Sequence, residues 1–104
     1  VKIIWSPLAI KRAYEAAGYI AGDKPDAALR WLDGLFEVTD RLKRFPESGR
    51  IVPEIGVPDF REVIYRRAYR VIYRVEKTRV SILTVRNCAQ LLDPDELGEP
   101  NTKD

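Results

Sequence analysis

Arg61, Arg66, Arg70, Arg74 and Arg86 are the residues of this chain best suited to chemistry, and all five fall within residues 61–86, REVIYRRAYRVIYRVEKTRVSILTVR. That stretch holds eight Arg or Lys against two Glu, so it sits near +6. The other 78 residues, with ten basic and fourteen acidic side chains, sit near −4, and the formal charge of +2 conceals the asymmetry. A guanidinium is planar and can donate two parallel hydrogen bonds to one phosphate or carboxylate, so such a patch suits a polyanion or an acidic protein. Held on a rigid strand, it could also stabilise negative charge developing on a phosphate under attack. Tyr65, Tyr69 and Tyr73 interleave with the arginines. Exposed, they could stack on bases; core packing is the expectation for Tyr69 and Tyr73.

The same spacing divides these residues between two faces. Apolar residues alternate along the stretch, which reads as half-buried strands. In one strand Tyr69, Val71, Tyr73 and Val75 form the core set, and Arg70, Ile72, Arg74 and Glu76 form the open set. In the strand before it, Glu62, Ile64 and Arg66 alternate with Arg61, Val63 and Tyr65, and either set could be the open one. In the last strand Val80, Ile82 and Thr84 alternate with Ser81, Leu83 and Val85. Both of those sets look fairly apolar, as in a central strand.

The chain has no His. The commonest general base, the commonest zinc ligand and every Ser-His or Cys-His nucleophile pair go with it. Proton transfer would fall to carboxylates, a Tyr, a Lys or the substrate itself. No metal and no small-molecule cofactor is expected. The single cysteine, Cys88, excludes an intramolecular disulfide and fits a reducing, cytoplasmic compartment; it reads as a small strand-end residue. No apolar run approaches the roughly 20 residues that span a bilayer, and no secretory leader opens the sequence as given. No membrane partner is expected.

The elements that would position the arginines follow from the pattern. Lys2–Trp5 is a strand candidate. Ser6-Pro7 starts a helix, with Ser as cap and Pro in the first turn. Ile10, Ala13, Tyr14, Ala17, Ile20 and Ala21 form its expected apolar stripe. A second helix spans 25–44, burying Ala28, Trp31, Leu32, Leu35, Val38, Thr39 and Leu42. Residues 51–59 read as a loop with at most a short extended piece. Strands are expected at 60–66, 69–76 and 80–87. The architecture predicted is α+β: an N-terminal strand and an antiparallel helix hairpin packed on one face of a mostly antiparallel four-stranded sheet.

Taken in order, these pieces resemble the RelE/ParE superfamily of toxins from type II toxin–antitoxin systems, over residues 2 to about 93. WSPLAIKRAYEAAGYIAGDKPDAALRW is similar to the family's opening strand, first helix and link to the second helix. LKRFPESGRIVPE is similar to its L-x-x-F-P-x-x-G-R-x-V-P-E segment, and FREV, YRVIYRV and VSILTVRN to its three C-terminal strands. The resemblance implies a toxin domain at 1–93; the composition of 94–104 reads as a polar acidic tail with room for one helical turn. The resemblance also implies a growth inhibitor neutralised by a cognate antitoxin protein encoded in the same operon.

Two branches of the superfamily differ in target: RelE-like members cleave mRNA in the ribosomal A site, and ParE-like members inhibit DNA gyrase. The Arg of the YR-x-x-Y segment, important in the cleaving branch, falls on Arg70, and Arg61 lies near a basic position used on the preceding strand. These two are the candidate catalytic residues. Arg66, Arg74, Arg86 and Tyr65 are candidates for binding the target or a nucleic acid. Many members end the last strand in Arg-His with further basic residues; this chain reads Arg86-Asn87-Cys88-Ala89-Gln90, so the acid–base residues of the cleaving branch are not evident. The ParE-like reading is favoured. A ribosome-dependent mRNA endoribonuclease and an inactive toxin-fold binding module are the alternatives.

Overall fold

The computed structural model describes residues 1–90 and 92–97. Strand β1 (Lys2–Trp5) leads into helix α1 (Pro7–Ala21) and helix α2 (Pro25–Asp40). Strands β2 (Arg50–Ile51), β3 (Phe60–Tyr65), β4 (Tyr69–Val75) and β5 (Arg79–Asn87) follow. The cap read at Ser6 is in place: its Oγ accepts from Ala9 N at 3.0 Å and donates to Leu83 O at 3.0 Å, fixing the start of α1 to the sheet. The second helix stops at Asp40, short of the expected Arg44, and Arg41–Lys43 tighten into a 3₁₀ turn.

The sheet has five strands, not the four expected, in the order β1-β5-β4-β3-β2. The additional strand is β2, which pairs antiparallel with β3 through Arg50–Glu62 and Ile51–Arg61. Two residues are too few to show an alternating pattern, so the segment read as loop. β1 runs parallel to β5, from Lys2–Arg79 to Trp5–Ile82, while the β3–β4 and β4–β5 pairs are antiparallel. The sheet is therefore mixed.

Both helices pack on one face. Trp31, Leu32, Leu35 and Leu42 are buried in one cluster with Tyr69, Val71, Tyr73, Val80, Ile82 and Val85. The contribution of α1 differs from the stripe expected. Its buried residues are Ala9, Ala13, Ala17 and Ala21, a run at i, i+4, whereas Ile10, Tyr14 and Ile20 are exposed. Small side chains on the inner face let the helix lie close over the sheet, which leaves the large apolar residues outside.

The last strand also departs from simple alternation. A bulge between the Ile72–Thr84 and Tyr73–Ile82 pairs leaves Leu83 as an extra residue. Val85 thereby joins Val80 and Ile82 on the helix side, and Thr84 turns with Leu83 to the far side. This shift is why both alternating sets looked apolar. The far side carries a second cluster, Val52, Phe60, Ile72, Leu83 and Leu97. Of the stretch expected as an acidic tail, Pro94–Leu97 form a 3₁₀ turn with Glu96 and Leu97 buried; residues 98–104 lie outside the described residues.

Candidate functional site

Arg70 and Arg74 leave β4 on the face opposite the helices, as alternation predicts, but that face is not open at Arg70. The segment after β2 folds across it, drawn down by Val52 and Ile55, and brings Glu54 with it. Arg70 is only 7% exposed. Its Nη1 donates to Glu54 Oε2 and its Nη2 to Glu54 Oε1, both at 2.7 Å, while Nε donates to Glu62 Oε1 at 2.6 Å. Glu62, whose side chain is fully buried, also accepts from Arg50 Nε. Glu62 is the diagonal cross-strand neighbour of Arg70, because Ile64 pairs with Arg70 and Ile72 pairs with Glu62. The expectation of an exposed guanidinium at Arg70 is thus corrected: two carboxylates hold it, and a covering loop excludes most solvent.

Arg61 does not join it. The register turns Glu62 to the far face and leaves Arg61 on the edge of the helix face with Val63 and Tyr65. There its Nε donates to Pro58 O at 3.0 Å and its Nη1 to Glu47 O at 3.2 Å and Gly49 O at 3.0 Å. The two candidate catalytic arginines therefore serve different faces of the sheet.

The remaining candidates scatter. Tyr65 is buried, donates its hydroxyl to Trp31 O at 2.7 Å and meets the Trp31 ring edge-on, so it has no face for a base. Tyr69 and Tyr73 are core residues; Tyr69 packs edge-on to Trp31, and Tyr73 Oη accepts from Gly49 N at 2.9 Å. Arg66 lies in the β3–β4 turn with its guanidinium 5.2 Å from the Tyr65 ring centre. Arg74 is exposed and sits 5.3 Å from the Phe60 ring centre. Arg86 Nη1 donates to Glu96 Oε2 at 2.6 Å.

Glu96 forms a second charge cluster that the sequence did not disclose. Its Oε1 accepts from Thr84 Oγ1 at 2.7 Å, and Arg12 Nη2 from helix α1 reaches its Oε2 at 3.0 Å. Above this cluster runs an open groove of about 400 Å³ between α1 and the ends of β4 and β5, lined by Arg12, Ala16, Tyr19, Tyr69, Arg86 and Asn87 among others. Asn87, at the position where the family resemblance places His, turns its Oδ1 back to Ala89 N at 2.8 Å. The side chain closes its own turn. Cys88 is exposed and free.

These environments fix protonation states. The bidentate bond from Arg70 pulls the Glu54 carboxyl down to about 2, against the smaller opposing effect of burial. Burial pushes Glu96 up, but the hydrogen bonds from Thr84 and Arg12 and the charge of Arg86 outweigh it, and the net direction is down. Burial raises the phenols of Tyr65 and Tyr73. Around neutral pH Glu54 and Glu96 are anions locked to cations, and the two phenols are protonated. The arrangement binds charge within the protein. Among the described residues, no group of three or more His, Cys, Asp or Glu is placed to hold a metal ion, and no helix is long and apolar enough to cross a membrane.

Residues 3–92 match the family model described as the ParE toxin of the type II toxin–antitoxin system parDE. The chain is 33% identical over 90 residues to Y4kP of Sinorhizobium fredii, covering 86% of this chain and 90% of that protein. A structure described as the chromosomal ParDE TA system from P. aeruginosa superposes with a TM-score of 0.70 at 19% identity, over 84% of this chain and 95% of that one. That likeness shows the fold, two N-terminal helices with a mixed sheet. The chain belongs to the ParE toxin family of type II toxin–antitoxin systems.

Proposed function

We propose that this ParE-family toxin inhibits growth by binding DNA gyrase, not by cutting mRNA on the ribosome. The observation that carries the reading is the state of Arg70. Ribose 2′-OH attack on a phosphate needs a free cation for the added charge, and a general base and acid that add roughly 10²- to 10⁴-fold each. Arg70 is spent on Glu54 and Glu62, Arg61 lies on the other face, and Asn87 stands in place of an imidazole. Inhibition by binding asks only for a surface. Supercoiling by purified gyrase and cleavage on programmed ribosomes, assayed side by side, test this. Inhibited supercoiling with intact mRNA is expected. A-site cleavage would replace the reading with the RelE-like one, and silence in both with no toxicity would favour an inactive binding module.

A cognate antitoxin is the partner proposed to neutralise it. Ile10 and Tyr14 on α1 and Leu29 on α2 are exposed, Tyr14 by 56%. Large apolar side chains left exposed on the two helices suit an amphipathic segment of a partner. Co-expression with the neighbouring reading frame should give a complex that copurifies and restores growth; a neighbour that does neither counts against this partner.

A further inference from the structure

The hairpin turn between β3 and β4 holds Arg66 at φ 51° and Arg67 at φ 62°, both in the left-handed region. The bond from Ala68 N to Tyr65 O, 3.1 Å, closes the turn around them. Successive positive φ values are the signature of a type I′ turn, whose usual residues are Asn-Gly because a Cβ is strained there. The other two positive-φ positions among the described residues, Gly22 and Gly56, are glycines. The arginine pair is the exception in its own chain. It is also clamped from both sides. Tyr65 is bonded to Trp31 O at 2.7 Å, Tyr69 is packed on Trp31, and Cys88 N donates to Ala68 O at 2.7 Å. The backbone therefore cannot relax, and strain held in place by its surroundings at an exposed site points to use.

Most of the other charges in the basic stretch are engaged, although Arg74 and Lys77, like the turn pair, form no ion pair among the described residues. Arg70, Arg79 and Arg86 are paired with carboxylates, and Arg61 is bonded to backbone carbonyls. Arg66 and Arg67 are exposed, and neither forms an ion pair among the described residues. Ala68, next to the turn in sequence, and Cys88, bonded to Ala68, are small and exposed. They offer no aromatic anchor of the kind that centres a protein–protein interface. Two adjacent planar forks on a stiff support, one of them 5.2 Å from the Tyr65 ring centre, match repeated anionic oxygens.

We propose that Arg66 and Arg67 form a rigid prong that grips the phosphate backbone of a nucleic-acid duplex. This concerns contact by the toxin alone and stands whether or not gyrase is its target. The test is the double variant Arg66→Asn/Arg67→Gly, which gives the turn its preferred residues, beside Arg66→Lys/Arg67→Lys, which keeps the charge. Binding of the purified chain to a short duplex DNA, and to an RNA duplex of the same sequence, is read by fluorescence anisotropy across a salt series. The parent should bind at low salt with a salt-dependent affinity. The Asn-Gly variant should melt a few degrees higher than the parent yet bind at least tenfold more weakly, with a log–log salt slope shallower by about 2, one contact per arginine. The lysine pair should keep most of the slope. The relative affinity of DNA and RNA identifies which duplex is the ligand. Equal affinity and slope for parent and Asn-Gly variant would overturn the proposal, as would a parent that binds neither duplex. Loss of toxicity in the Asn-Gly variant with unchanged duplex binding would overturn it too, and would assign the turn to an acidic protein.

Discussion

Arg70 and Glu54 meet fork to fork, Nη1 to Oε2 and Nη2 to Oε1, with both bonds at 2.7 Å. The pair joins the centre of the sheet to the loop that covers it, and Arg70 Nε extends the contact to buried Glu62. An exposed strand arginine would contribute no more than about 1 kcal/mol. Removing this one leaves Glu62 inside the protein with Arg50 as its remaining ion-pair partner.

Arg70→Ala is therefore expected to destabilise the fold by about 2–3 kcal/mol, below the roughly 3–5 kcal/mol of a fully orphaned buried charge, because Arg50 still pairs with Glu62. Arg70→Lys should recover only part, because an ammonium cannot span both Glu54 oxygens while bonding Glu62. Urea unfolding followed by far-UV circular dichroism measures both. A loss under about 1 kcal/mol for Arg70→Ala would mean that the network adds little, and a matching loss of toxicity would then be functional and not structural.

The same pair makes stability depend on pH. The Glu54 carboxyl sits at about 2 in the folded chain, against an ordinary value of 4.5. Between these values the unfolded chain binds more protons, so the stabilisation is complete above about pH 4.5 and drains away as pH falls toward 2. Its side chain is 41% exposed, so solvent screening reduces the contribution to about 1–2 kcal/mol. Glu54→Gln should flatten the stability profile in that window while lowering stability at pH 7. Unchanged acid sensitivity in Glu54→Gln would assign the acid transition to other carboxylates.

Much of this fold was legible and most of the site was not, for one physical reason. Local signals act over a few residues. Ser6-Pro7, the apolar face of α2 and the alternation in β4 each specify their own element, and the structure places them as read. What covers a face is set by residues far away in the chain. Glu54 reaches Arg70 across 16 positions, and Glu96 reaches Arg12 across 84. Alternation named Arg70 an outward residue correctly, but outward from the sheet is inward beneath a loop. The one hint was local: Glu62 alternates away from Arg61, toward the face of Arg70. The bulge at Leu83 and the two-residue β2 leave no periodic trace at all.

Glu96 should act as a clasp for the C-terminal turn. It is held by Thr84, Arg86 and Arg12, and Leu97 beside it is buried against the far-side cluster. Glu96→Ala is expected to cost about 1–3 kcal/mol, because buried Thr84 and two guanidiniums each lose one acceptor, while the partial exposure of Arg12 and Arg86 lets those two regain water. Hydrogen exchange should show faster opening of the described residues 92–97 with little change in α2. Uniform acceleration across the whole chain would mean that the turn is part of the global folding unit and not a local clasp.

Gly34 offers the sharpest test of the anchor under the arginine turn. It lies inside α2, where Ala would ordinarily gain about 1 kcal/mol of helix propensity. A Cβ there would overlap the Tyr65 hydroxyl and press on Arg66 Nη2. Gly34→Ala should therefore destabilise by up to about 2 kcal/mol net, since overpacking of this kind costs about 1–3 kcal/mol. Tyr65→Phe alone removes the bond to Trp31 O and should cost about 0.5–1.5 kcal/mol. Combined, the two changes should cost less than their sum, because the atom that clashes is the atom removed. A double-mutant cycle by thermal or urea unfolding reads this directly, with a favourable coupling of about 1 kcal/mol expected. Strict additivity would mean that the Tyr65 hydroxyl is not seated against Gly34, and the turn that carries Arg66 and Arg67 would lose its anchor on α2.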